Sequence, residues 1–418
     1  MRILYLSQLV PYPPDSGPKV RQYYALRYLA QHHEVTLVAF SRPDDKPEAL
    51  EHLKGLCQAV YTVPMKRARW RDALALAGSW LSGKSFIIRR DWVPAMAKLV
   101  EEEITRGGYD IVQADQLWMA QYGLLADQLA RAGKSSRPWL VLDEHNACFQ
   151  IPQRLAQGER NPLKRLALER EWRALYRYEA QACASYDHVV TVTEEDRAIL
   201  EGMVRIASEN NRETSHRKPS FSTIPICVDT AAVKPVGSQP GAVNVLHLGT
   251  MFWPPNVEGV VWFAREVWPR VRQQVPQASL TIVGKNPPEA VRSLVQTGTD
   301  IHVTGYVADP LPYLEEAGAF IVPLFSAGGM RVKIVDGWRW GLPVISTSIG
   351  AEGIRYRDSE NILIADTADS FARTVVQALH DKELNQRLRV NGRRWVEEMY
   401  DWQRVYPAWE DAYPISRR

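Results

Sequence analysis

The sequence is poor in cysteine: Cys57, Cys148, Cys183 and Cys227 are scattered through 418 residues and form no Cys-x-x-Cys pair. Zinc sites and disulfide frameworks need clustered or regularly paired cysteines, so this spacing argues against both and suits a reducing compartment. Long apolar runs are missing too, and none reaches the roughly 18 residues of a membrane-spanning helix. The stretch Met1 to Leu9 reads as a buried strand without the length or cleavage site of a signal peptide, so the expectation is a cytoplasmic protein. No Gly-x-Gly-x-x-Gly follows the first strand, which removes the usual dinucleotide fingerprint, and no Asp-x-Asp motif is present. No metal and no organic cofactor are therefore expected. The net charge of +3 is too small to point to nucleic acid, and no nucleic-acid partner is expected.

What is present is the composition of an ordinary folded protein, 45% hydrophobic and 24% charged, in a chain too long for one core. Strand, loop, helix and strand alternate from the start: Arg2 to Ser7, the loop to Gly17, Val20 to Ala30, then Val35 to Phe40. That order is a Rossmann-like opening. Ala59 to Val63, Tyr109 to Ala114, Trp139 to Asp143, Asp187 to Thr193 and Phe221 to Ile226 read as further strands. A linker-like stretch with Pro235, Gly237, Pro240 and Gly241 follows. The same grammar then restarts with strands Val243 to Leu248, Ser279 to Val283 and Ile301 to Thr304. The predicted boundaries are 1–232 and 242–395 for two Rossmann-like domains, with 396–418 as an aromatic terminal helix.

Three stretches carry chemistry. Ser326 to Ile354 reads as strand end, glycine loop, helix, turn and strand, with Arg331 and Lys333 at the helix start. Free N–H groups and a positive dipole end beside two cations suit a phosphate or diphosphate. Asp336, about one turn on, is placed to accept hydrogen bonds from ribose hydroxyls. The second stretch, Asp143-Glu144-His145-Asn146, lies at the carboxyl end of a strand, where ligands bind in parallel α/β sheets. His145 is the strongest candidate there, with Asn146 and Glu144 as neighbours. The third, Lys66 to Trp92, interleaves seven cations with Trp70, Trp80, Phe86 and Trp92 against only Asp72 and Asp91. Such a stretch suits an anionic membrane surface or a lipid-linked diphosphate head group, and equally a solvated helix with core tryptophans.

The run Gly328-Gly329-Met330-Arg331-Val332-Lys333 resembles the donor-site signature of the retaining GT-B glycosyltransferases of family 4, in a Gly-Gly-x-Arg-x-Lys variant. The similarity extends over most of the chain: Val192-Thr193-Glu194 resembles a family segment, and Ile224 to Asp229 resembles the family's interdomain crossover. The resemblance implies an α/β GT-B fold, two Rossmann-like domains facing a deep cleft, with the C-terminal helix crossing back to the first domain. It implies a nucleotide-diphospho-sugar donor on the second domain and a carbohydrate or lipid-linked acceptor on the first. It assigns His145, Arg331 and Lys333 to catalysis, and Gly17, Asn146, Gly249, Thr250, Gly328, Gly329, Met330 and Asp336 to substrate binding, with no metal. The sequence departs from the pattern at Ser16, which replaces the first glycine of a Gly-Gly pair, in the crossover, which lacks the family's Asn and Gly, and at two places in the donor site. Thr250 and Trp253-Pro254-Pro255-Asn256 stand where the family has an Arg and a Lys, so diphosphate neutralisation falls to Arg331 and Lys333. Gly328 stands at the first of two spaced carboxylates, and Asp336 at the second. A sugar-nucleotide 2-epimerase and a non-catalytic sugar-nucleotide or lipid-binding module remain open alternatives, as does peripheral attachment to the inner face of the membrane.

Overall fold

The computed structural model describes residues 1–210, 218–237, 241–295, 300–326 and 329–413. Its contacts divide the chain into two compact units, Met1–Ile226 with Val405–Arg418, and Cys227–Arg404. The first crossing lies a few residues before the predicted 232. The second lies at 405 rather than 396, because the helix Lys382–Met399 stays in the second unit.

The first unit is built on seven parallel strands: β1 (Arg2–Ser7), β2 (Glu34–Ser41), β3 (Ala59–Pro64), β4 (Ile111–Asp115), β5 (Trp139–Glu144), β6 (His188–Thr191) and β7 (Ser220–Thr223). Their order is β3-β2-β1-β4-β5-β6-β7, so the chain reverses its winding direction between β1 and β4. The strands are near-continuous apolar runs because a parallel sheet is covered on both faces. Leu4, Leu6, Val38, Val112, Leu140 and Leu142 are fully buried in its core. Pro225 shortens the last strand, which ends at Thr223 rather than Ile226.

The second unit repeats the plan with β8 (Asn244–Leu248), β9 (Ser279–Val283), β10 (Ile301–Gly305), β11 (Ala317–Val322), β12 (Val344–Ser346) and β13 (Leu363–Ile364). The order β10-β9-β8-β11-β12-β13 is again that of a doubly wound sheet, with its switch point between β8 and β11. The helix that follows β8 starts at Pro254 and is broken by a π turn at Phe263–Val267 before Trp268–Gln274. Pro269 causes the break, since it has no N–H for the carbonyl four residues back.

The terminal aromatic segment is a short helix, Trp402–Val405, followed by a 3-10 turn, Tyr406–Ala412, in place of one α-helix. From Val405 onward it belongs to the first unit. Tyr406 and Trp409 are fully buried there. The Tyr413 hydroxyl donates to Gln113 Oε1 at 2.5 Å, and Trp139 Nε1 to the Ala412 carbonyl at 3.1 Å. Among the described residues no helix is long and apolar enough to cross a membrane.

Candidate active site

In the second unit the polar groups gather at the carboxyl ends of β8 and β11, on either side of the switch point. The helix Val332–Arg339 opens there, with Arg331 as its N-cap. Lys333 is in its first turn, and its Nζ donates to Asn256 Oδ1 at 2.7 Å. Asn256 lies in the first turn of the helix Pro254–Trp262 and is itself fixed, donating Nδ2 to the Thr250 carbonyl at 2.8 Å. Gly249, the residue after β8, keeps this corner open. A Cβ there would lie 2.6 Å from Lys333 Nζ, 3.0 Å from Asn256 Nδ2 and 3.3 Å from His247 Nε2. Three nitrogens from three elements therefore converge on one glycine.

His247 is fully buried on β8 and its Nδ1 lies 3.1 Å from the Ile321 carbonyl. A carbonyl only accepts, so Nδ1 carries the proton and Nε2 is a bare acceptor. That Nε2 has no hydrogen-bond partner and faces the Lys333 corner. Burial, and then the Lys333 charge, hold the imidazole well below its usual pKa. Burial first, and then the Arg331 guanidinium, bring the Lys333 amine down to about 7. This corner therefore holds positive charge poorly until an anion arrives to share it.

Arg331 is buried; its guanidinium donates to the Gly329 carbonyl and lies 3.7 Å from the Glu352 carboxylate. Gly329 adopts a φ of +71°, in the left-handed region that favours glycine. Met330 is buried beside it. Gly328 lies outside the described residues. Asp336 is partly exposed on the second helical turn and pairs with Arg339 at 3.2 Å.

In the first unit the carboxyl ends of β4 and β5 hold a different arrangement. His145 follows β5 and is nearly buried; its Nε2 is 3.0 Å from Asp115 Oδ1 and 3.6 Å from Asp143 Oδ2. Its Nδ1 is 3.2 Å from the Gln116 side-chain amide. Gln116 holds a φ of +69°, a strained backbone for a non-glycine residue directly beside the ring. Arg21, fully buried, grips Asp143 with Nε at 3.0 and 2.9 Å and with a terminal nitrogen at 2.6 Å. It also donates to the Ile224 carbonyl at 2.7 Å and stacks over Trp409. Gln22 and Tyr5 both donate to Asp115. Burial alone would lower the pKa of His145, but Asp115 and then Asp143 outweigh it and push it up to about 9. Asp115 and Asp143 thus favour the protonated ring.

The loop after His145 is fastened from beneath. Ala147 N–H donates to Asp196 at 2.9 Å, and the Cys148 and Phe149 amides donate to Glu179 at 2.6 and 3.0 Å. Asn146 accepts from Cys148 Sγ at 3.3 Å. Burial, and then Glu179, hold the Glu144 carboxyl well above the usual carboxylate range. Among the described residues two groups could present ligands to a metal, Asp115 with Asp143 and His145, and Glu144 with Cys148 and Glu179. In the first group the carboxylates already receive the Arg21, Gln22 and His145 donors. Gly17 opens the helix Gly17–His32 after the β1 loop, with Ser16 as an extended N-cap.

Sequence reasoning brought together Gly249, Thr250 and Lys333, which the fold also gathers in one corner. It missed His247, Arg21, Asp115 and the role of Asn256. For His247 the available signal was a lone polar residue inside the apolar run Val245 to Leu248; Arg21, near Lys19 and beside Gln22, carried no such signal. Asn256 was read only as the absence of a cation.

Residues 242–381 match the family model described as glycosyl transferases group 1. That segment contains the entire Lys333 corner. An uncharacterized 44.6 kDa protein in the cps region of Klebsiella pneumoniae is 27% identical over 173 residues, 40% of this chain and 44% of the relative, so the match spans less than half of either protein. Among solved structures, Anabaena HepE in complex with UDP-glucose superposes with a TM-score of 0.62 at 12% identity over 98% of both chains. A glycosyltransferase from Rickettsia africae gives 0.60 at 13% identity over 98% of this chain and 97% of that one. The E. coli trehalose-6-phosphate protein bound with UDP-2-fluoro glucose gives 0.62 at 12% identity over 100% of both. At these identities the likeness speaks for the fold: α/β, with two Rossmann-like parallel sheets of the GT-B class.

Proposed function

We propose that this chain is a glycosyltransferase that moves a sugar from a nucleotide-diphospho-sugar to an acceptor hydroxyl. The finer reading is a metal-independent, retaining hexosyltransferase of family 4, acting on a lipid-linked or cell-envelope glycan. The observation that carries it is the nitrogen corner of Lys333, Asn256 and His247 around Gly249. It sits at a sheet switch point, inside the segment that matches the group 1 glycosyl transferases. Neighbours in fold crystallised with UDP-glucose and UDP-2-fluoro glucose support a nucleotide-sugar ligand.

Transfer breaks the bond between the anomeric carbon and the diphosphate, and the electron pair leaves on the phosphate oxygen. Lys333, Arg331 and the N-terminal amides of the helix Val332–Arg339 are the groups that stabilise this growing charge. Lys333, easily deprotonated in the free chain, becomes a full cation when the diphosphate enters. Asp336 binds the ribose, and Gly329 and Met330 lend backbone N–H groups to sugar hydroxyls. In the first unit, His145 is the candidate for orienting the sugar, its ring locked by Asp115 and by Asp143 on Arg21. No protein nucleophile is assigned.

The test is a panel of UDP-, GDP- and dTDP-sugars with the purified chain, following nucleotide release with and without glycan acceptors. Acceptor-dependent release abolished by Lys333→Met supports the reading. An isomerised sugar nucleotide, or tight binding without turnover, overturns it.

A further inference from the structure

The helix Arg69–Ser82 is turned inside out. Its one buried residue is Ser79, a small polar side chain, while its large apolar residues face solvent. Trp70, Leu74, Ala77 and Leu81 recur at i, i+4, i+7 and i+11, which is one helical face. Trp70 is 66% exposed and Leu81 91%. Trp80 flanks that face, and Leu76 is exposed further round the helix. A helix whose apolar stripe points away from the sheet contributes nothing to the core, and contiguous exposed apolar area marks an interaction site.

The orientation is held by specific bonds. Arg170, on the helix Pro162–Ser185, donates to the Ser79 and Trp80 carbonyls at 2.8 Å each and stacks on the Trp80 ring. Arg177 donates to the Gly83 carbonyl at 3.3 Å. The Ser79 carbonyl also accepts from the Gly83 N–H at 2.9 Å, and the Trp80 carbonyl, one of those at the helix end, is satisfied by Arg170. The same neighbour extends the surface: Leu163 and Leu166 precede Arg170 at i−7 and i−4 on its face, and both are exposed.

The charge around this face is one-sided. Lys66, Arg69, Arg71 and Lys84 are exposed at its edges. Of the two carboxylates in the stretch, Asp91 is buried and already takes Arg67 and Arg90 at 2.9 Å each. A second copy of this chain would bring the same cations against themselves across a two-fold interface. A bilayer with anionic head groups offers both what the stripe needs and what the cations need.

We propose that the helix Arg69–Ser82, continued by Leu163 and Leu166, docks the first unit onto an anionic lipid surface. Trp70, Leu74 and Leu81 enter the interface and Lys66, Arg69, Arg71 and Lys84 meet the head groups. The proposal is independent of the donor chemistry, so its failure would leave the transferase reading standing, and the reverse. It deepens that reading only by giving a lipid-linked acceptor a place to be met.

The test uses the full chain and sedimenting vesicles of neutral phosphatidylcholine, with or without about a third phosphatidylglycerol. Several cations near the surface predict a partition at least about tenfold higher onto the anionic vesicles, weakening as salt rises. The double variant Leu74→Glu/Leu81→Glu, on exposed positions, should keep the wild-type melting temperature and lose binding about tenfold or more. Arg69→Glu/Arg71→Glu should erase the preference for anionic lipid. Equal binding to both vesicles, or no binding, overturns the proposal. So does a wild-type dimer in light scattering that Leu74→Glu/Leu81→Glu converts to monomer, which would make the face a self-association surface.

Discussion

The two sheets have the same winding order and carry their polar groups at the same topological place, yet the chemistry is opposite. At the β4 and β5 ends of the first unit the His145 ring sits among carboxylates, with Arg21 completing the balance. At the β8 and β11 ends of the second unit nitrogens gather with little negative charge near them: Lys333 has an amide oxygen and His247 has nothing on Nε2. One site is satisfied in the free chain. The other leaves His247 Nε2 without a hydrogen-bond partner. Topology decides where a parallel α/β sheet places its ligand groups; side-chain identity decides how far their charge is balanced within the chain itself.

The sharpest way to break the contrast is to unbalance the satisfied site. Arg21→Met leaves Asp143 buried without its cation, and loss of one partner of a buried pair costs about 3–5 kcal/mol. Urea unfolding of the first unit should show it, and a loss below 1 kcal/mol would mean that Asp143 finds water or protonates freely. Lys333→Met should leave stability unchanged and lower kcat/KM for transfer by roughly 100- to 1000-fold, the scale of removing one oxyanion-stabilising donor. An equal fall in stability would make Lys333 a structural residue.

Gly249→Ala refines the second site. The new Cβ would lie 2.6 Å from the Lys333 amine, the far end of a flexible side chain, so the fold should survive while the amine is pushed aside. Nucleotide-sugar affinity should drop about tenfold, the scale of one weakened charge-assisted bond, and calorimetric titration reads it. Retained affinity would show that the corner is not the diphosphate site.

The pH dependence should run differently in the two units. Lys333 titrates near 7 in the free chain, and a diphosphate binds its charged form. Affinity for the donor should be flat below pH 7 and weaken by roughly tenfold per unit above it, a dependence absent in Lys333→Met. His145 is raised to about 9 in the folded chain, against about 6.5 when unfolded. Its stabilising contribution is full below about 6.5 and disappears as pH rises through about 9. The stability difference between wild type and His145→Gln should therefore shrink over that window; a difference that grows with pH would show that the ring is neutral in its cage.

Much of this was legible in the sequence. Alternating apolar runs and breakers mark two Rossmann-like halves, because a parallel sheet covered on both faces imposes uninterrupted Val, Ile and Leu segments. Residue type alone makes Arg331 and Lys333 candidates for an anion site. Less visible were partners distant in sequence. Nothing in Asn256 says that it holds Lys333, 77 positions away, and nothing in Arg21 says that it pairs with Asp143, 122 positions away. The Lys66 to Trp92 stretch shows the same limit: composition allowed a core helix or a surface one.

The sequence by itself determined the fold class and the position of Arg331 and Lys333 at the start of the helix Val332–Arg339, because periodicity and residue placement are local properties. Tertiary structure alone decided which partner each cation bonds, that His145 sits in a carboxylate cage, and that the helix Arg69–Ser82 faces its apolar side outward. Those outcomes depend on burial and on contacts between residues far apart in the chain, and both come into being only when the chain folds.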